Sequence, residues 1–86
     1  MDTHFLTALD QLSTGYQTGL FGGERWGVTL RGGPGNPVRK LYGERLAGGD
    51  HVSFNLYTPT SGPILKPCEM PEEKVIDFVL EFEPDG

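Results

Sequence analysis

Cysteine is nearly absent from this 86-residue sequence, with Cys68 standing alone. A single thiol cannot close an internal disulfide, and it is too few for a structural zinc site. Histidine is also scarce. His4 and His51 form no H-x-x-x-H or H-x-x-E spacing, so no metal centre is expected. No apolar run exceeds three residues, the longest being Phe78-Val79-Leu80, so no segment could cross a bilayer as a helix. The opening residues Met1-Asp2-Thr3-His4 lack the basic and apolar regions of a secretory leader, and a cytoplasmic protein with a reduced thiol is the expectation. Positive charge is sparse as well: seven Lys and Arg residues stand against twelve Asp and Glu, for a formal net charge of −5. That balance argues against a nucleic-acid partner, whose phosphates call for a dense basic patch.

Turn formers are what the chain has in quantity. Thirteen glycines and seven prolines point to short elements and many turns, which excludes a helix bundle. With 36% hydrophobic residues the chain can still bury one modest core. A single domain over residues 1–86 is expected, with 84–86 fraying after Pro84.

Residues Thr3 to Thr14 read as a helix, because Phe5, Leu6, Leu9 and Leu12 fall on one face and Gly15 follows where a left-handed cap belongs. Asp2 or Thr3 can cap its start. The period then changes to two. Val28 and Leu30 alternate with Arg25, Thr29 and Arg31, and Trp26 falls with the apolar set. Val52, Phe54 and Leu56 alternate with His51, Ser53, Asn55 and Tyr57. Between them, Val38 to Leu46 carries strand formers in a mixed pattern, and a bulge near Gly43 would let its register switch. Gly22-Gly23-Glu24 and Ala47-Gly48-Gly49-Asp50 suit hairpins, and Gly32–Pro37 suits a longer loop. Short turns between strands imply an antiparallel meander.

The segment Ile64-Leu65-Lys66, between Pro63 and Pro67, fits a sheet edge. A second helix is predicted over about 71–82. Pro71 takes its first position, Glu72 and Glu73 its first turn, and Val75, Phe78, Val79 and Phe82 form one stripe. That stripe must cover an apolar surface, and the Val52-Phe54-Leu56 face supplies one. The fold class is therefore α+β: a two-layer domain in which an antiparallel meander of four to five strands is packed by the C-terminal helix and a short N-terminal helix of about 3–14. A strongly bent half-barrel is the alternative, permitted by Gly19, Gly22, Gly23, Gly27 and Gly43.

Three features could carry function. Cys68, with His51 as a base, would make a small enzyme or redox-responsive protein, yet nothing in the sequence brings the two together. The Gly32–Pro37 loop lacks the Gly-Lys-Ser/Thr ending of a phosphate loop, and no cofactor is expected. The polar sheet face is the most suggestive. Arg25, Arg31, His51, Asn55 and Tyr57 would project from it together, a set suited to an anionic small molecule or an acidic peptide. A solvated face would show some of the same residues. On these grounds the sequence favours a binding module over an enzyme. Charge is also segregated: residues 24–65 sum to +2 and residues 66–86 to −5. A homodimer would let these segments complement each other and would add stability to so small a domain.

Overall fold

The structure, a computed structural model, describes residues 3–86. The elements in chain order are α1 (Thr3–Asp10), β1 (Gly15–Phe21), β2 (Glu24–Arg31), β3 (Val38–Arg45), β4 (His51–Tyr57), β5 (Ile64–Pro67), α2 (Glu72–Glu81) and β6 (Glu83–Pro84). The six strands form one antiparallel sheet in the order β5-β4-β3-β2-β1-β6. Both helices pack on one side of it, so the protein is a two-layer α+β domain with one strand more than the sequence suggested. The sheet is open, with β5 and β6 as its edges.

The inner face is apolar because each strand contributes alternate residues to it. Val28 and Leu30 of β2, Leu41 of β3, and Val52, Phe54 and Leu56 of β4 are all buried. Onto this surface α1 lowers Phe5 and Leu9, and α2 lowers Val75, Phe78 and Val79. Phe78 is the centre of an aromatic cluster, with its ring 4.9 Å from both Trp26 and Phe21 and 5.2 Å from Phe82. Burying each such side chain contributes about 1.5–3 kcal/mol.

Three expectations about boundaries are corrected by the structure. The first helix stops at Asp10, because Ser13 is held outside it: its N–H donates to Gln17 Oε1 at 3.1 Å, and Gln17 Nε2 donates to its carbonyl at 2.6 Å. Gly15, with φ +99°, opens β1 instead of capping the helix. The proposed cap Asp2 lies outside the described residues. Pro71 is the N-cap of α2, one place before its first turn, and its carbonyl accepts from Lys74 N–H at 3.1 Å.

The third correction concerns β3. Its pairing with β2 runs without a bulge from Arg31↔Lys40 to Trp26↔Arg45. The pattern looked mixed because two of its three buried positions are not apolar. Arg39 is buried, donating to Gly32 carbonyl at 2.9 Å and pairing with Asp10 of α1. Gly43 faces inward because the space is taken: a Cβ there would lie 3.1 Å from Val52 Cγ2 and 3.4 Å from Phe78 Cζ.

Pro84 and Asp85, which fall in the stretch expected to fray, are tied to the sheet. Glu83 and Pro84 pair with Leu20 and Gly19, and Asp85 N–H donates to Thr18 carbonyl at 3.0 Å. Gly19 is required at that crossing, since a Cβ would meet Glu83 carbonyl oxygen at 2.3 Å.

Candidate functional site

The other face of the sheet carries no helix. Its side chains follow from the same alternation: Tyr16, Thr18 and Leu20 from β1, and Arg25, Thr29 and Arg31 from β2. Lys40, Tyr42 and Glu44 come from β3, His51, Ser53, Asn55 and Tyr57 from β4, and Ile64 and Lys66 from β5. Strand register sorts them into rows that cross the sheet. Arg31, Lys40, Asn55 and Lys66 are consecutive cross-strand partners on β2, β3, β4 and β5. The next row holds Tyr16, Thr29, Tyr42 and Ser53. Neighbouring strands lie about 4.8 Å apart, so side chains within a row touch or share a ligand.

The seven cations of the chain divide sharply. Arg25 donates twice to Asp85, at 2.8 and 2.7 Å. Arg45 meets Glu24 at 3.0 Å, Lys74 meets Asp50 at 2.7 Å, and Arg39 meets Asp10. Arg31, Lys40 and Lys66 have no carboxylate or hydrogen-bond partner among the described residues, and all three stand exposed in the one row. Half-buried Asn55 sits between Lys40 and Lys66, with an amide that can donate or accept.

Beside this row is an open hollow of about 590 Å³ lined by Thr29, Arg31, Lys40, Tyr42 and Ser53. Two cations and the hydroxyl-bearing Thr29 and Ser53 therefore line it together with Tyr42, whose own hydroxyl donates to Glu44 Oε2 at 3.4 Å. Ser53 is 9% exposed despite facing outward. The Tyr42 ring stacks on His51 with centroids 6.2 Å apart and 25° between planes, which holds both rings on the face. Tyr16 crosses Gly27: a Cβ at Gly27 would lie 2.3 Å from its hydroxyl and 3.1 Å from Leu46 Cδ2. Only glycine leaves room for that ring to lie on the sheet.

The five residues expected to bind a ligand are divided by the structure. Arg31 and Asn55 share the row, and Arg31 lines the hollow. His51 lies on the same face two places from Ser53 and is placed by its contact with Tyr42. Tyr57 lies one row beyond, beside Val38 and Ile64. Arg25 stands at the opposite end of β2 in a fork with Asp85. The hydrogen bonds of Arg25 and Thr18 hold the Asp85 carboxyl down at about 2, and Asp85 in turn raises the Arg25 guanidinium above its ordinary value. Lys74 similarly lowers the Asp50 carboxyl by a hydrogen bond, aided by the His51 N–H.

Lys40, Tyr42 and Lys66 were not among the candidates. The period-two run Lys40-Tyr42-Glu44 was a visible signal, but the pairing that brings Lys66 alongside was not. Gly32–Pro37, the longer loop, joins β2 to β3 just beyond Arg31. It is tied back by Asn36 N–H to Gly33 carbonyl at 3.1 Å and by the Arg39 bond to Gly32.

Cys68 is half-buried after β5, and its N–H donates to Ser53 carbonyl at 3.0 Å. No hydrogen bond joins it to His51 among the described residues. The unpaired acidic residues of α2, Glu72, Glu73, Asp77 and Glu81, lie in the layer behind the sheet. No group of His, Cys, Asp and Glu suited to a metal occurs among the described residues. No described helix is long and apolar enough to cross a membrane.

Comparison of the chain with protein-family models, with curated proteins and with solved structures found no match. The site is therefore read from its own chemistry.

Proposed function

We propose that the protein is a binding module that recognises an oxyanion, a carboxylate or phosphate, on the outer face of its sheet. The ligand is an anionic small molecule or an acidic peptide side chain. The observation that carries this reading is the sorting of the cations: four of seven are neutralised within the chain, and the remaining three share a row. Charges placed only for solubility would not need to stand together. A guanidinium offers a planar fork of donors, and the Lys40 ammonium beside it, with Lys66 two strands further along the row, adds charge without fixed direction. The hydroxyls of Thr29 and Ser53 add donors around the hollow.

Catalysis is not part of the proposal. The hollow is open and holds no nucleophile paired with a base. Nucleic acid is not the proposed ligand either, since three cations on a chain of net charge −5 are too few for a polyanion track. A cytoplasmic location belongs to the same proposal and rests on the lone thiol.

Binding of a labelled poly-glutamate peptide and of inorganic phosphate, measured by anisotropy and calorimetry at low and high salt, tests it. Replacing Arg31, Lys40 and Lys66 together by Gln should abolish binding, and salt should weaken it in the wild type. Arg25→Gln should leave affinity within about twofold, because that guanidinium is already occupied. Equal loss from Arg25→Gln and from the triple variant would remove the site.

A further inference from the structure

The outward residues along β3 read Val38, Lys40, Tyr42 and Glu44, with Leu46 just past the strand. In order they are apolar, cationic, aromatic, anionic and apolar, a series that complements itself when reversed. We infer that the outer sheet face is also the surface on which two copies of the chain pair, about a two-fold axis that crosses the strands at Tyr42. This goes beyond the oxyanion reading and does not depend on it.

The axis lies in the interface and runs along the row of Thr29, Tyr42 and Ser53. Rotation about it lays one β3 antiparallel over the other. Tyr42 meets Tyr42 of the second copy, Lys40 faces Glu44, and Val38 faces Leu46, with each unlike contact made twice. The flanking strands agree with this placement. Asn55 comes opposite His51, a hydrogen-bonding match. Arg31 comes opposite Gly27, where the ring of Tyr16 offers its face to a cation. Facing sheets cross at about 30°, which keeps the central rows in contact while the ends diverge.

Three observations favour a second copy as the occupant. Lys40 and Glu44 have no ion partner among the described residues, and at four strand residues, about 13 Å, they cannot serve each other. Glu44 receives only a long 3.4 Å bond from the Tyr42 hydroxyl. Of the eight large exposed hydrophobics among the described residues, seven, Tyr16, Leu20, Val38, Tyr42, Leu46, Tyr57 and Ile64, lie on this face, and the eighth, Leu80, lies on the helical side. Apolar side chains scattered singly need no explanation, but their concentration on one unpartnered face does. The third is size. The molecule measures 39 × 27 × 19 Å, and its broad side has room for the roughly 800 Å² per copy of an ordinary stable interface. A two-fold axis along the strands would instead set Lys40 against Lys40, so the charge pattern selects the axis. Because Lys40 and Arg31 serve both roles, an oxyanion ligand and the second copy would exclude each other.

Sedimentation velocity on the whole chain, from about 1 µM to about 1 mM, tests the inference. The wild type should dimerise. Lys40→Glu and Glu44→Lys should each raise the dimer Kd by about 10- to 100-fold, since each sets like charges together twice. The double exchange Lys40→Glu/Glu44→Lys should return the Kd to within about threefold of wild type, because the pattern is again self-complementary. An equimolar mixture of the two single variants should pair where neither does alone. A wild type that stays monomeric throughout, or a double exchange that fails to pair, overturns it. The double exchange also separates the two readings, because loss of Lys40 still impairs oxyanion binding in a variant that pairs normally.

Discussion

The guanidinium of Arg25 holds the carboxylate of Asp85 in a two-bond fork, 60 residues apart in the chain, and Thr18 Oγ1 donates to the same carboxylate at 2.6 Å. This fork fastens β6 to the sheet and takes Arg25 out of the free cations. Asp85 is thereby lowered to about 2 from its ordinary value near 3.9. A lowered carboxyl contributes stability above its ordinary value, and that contribution is lost as pH falls through about 2. Asp85→Asn should therefore lower the melting temperature at pH 7 and lower it much less near pH 2. Equal destabilisation at both values would show that the charge is not what Asp85 supplies. Both partners are exposed, so added salt should narrow the pH 7 difference.

Gly43 of β3 faces Phe78 of α2, and a Cβ on Gly43 would lie 3.4 Å from Phe78 Cζ. The backbone at Gly43 is ordinary, so its requirement is for space alone. Gly43→Val should cost about 1–3 kcal/mol through overpacking, and Gly43→Ala less. Shortening the facing ring in Gly43→Val/Phe78→Leu should recover part of the loss, because the two changes share one space. Chemical denaturation measures all three. An additive double variant would mean that the ring is not the obstacle.

Arg39 is a buried cation whose only carboxylate among the described residues is Asp10, and its Nη2 has no partner among them. Removing the carboxylate strands the charge, whereas removing the charge leaves a stem that packs. Asp10→Ala should cost about 1–3 kcal/mol. Arg39→Met should cost less, or even stabilise, as replacements of buried ion pairs by apolar residues often do. If Arg39→Met proves the worse of the two in urea, the bond from Arg39 Nε to Gly32 carbonyl matters more than the ion pair.

Where local periodicity was strong, the elements were legible. The alternation of Val52, Phe54 and Leu56 with His51, Ser53 and Asn55 specified β4 and its two faces, and the stripe Val75, Phe78, Val79 specified α2. The reading failed where an element depends on a distant residue. Inward Arg39 makes sense only once α1 brings Asp10 to it, and inward Gly43 only once α2 brings Phe78. The end of α1 is set by a Gln17 side chain from the next strand. Strand β6 exists because Gly19 admits it and Arg25 holds Asp85. The site follows the same rule: Arg25 and Arg31 look equivalent on one strand face, and only Asp85 distinguishes them. Lys66 joins Arg31 and Lys40 through strand register, which no local pattern encodes.

The most direct measurement of the central claim is an amide and side-chain chemical-shift titration with an acidic peptide and with inorganic phosphate, on the chain at a concentration where it is monomeric. The account predicts shifts at Arg31, Lys40, Tyr42, Ser53, Asn55 and Lys66, with Arg25 and the exposed side of α2 unmoved. Shifts centred on Arg25 or on α2, or none from either ligand, would contradict it.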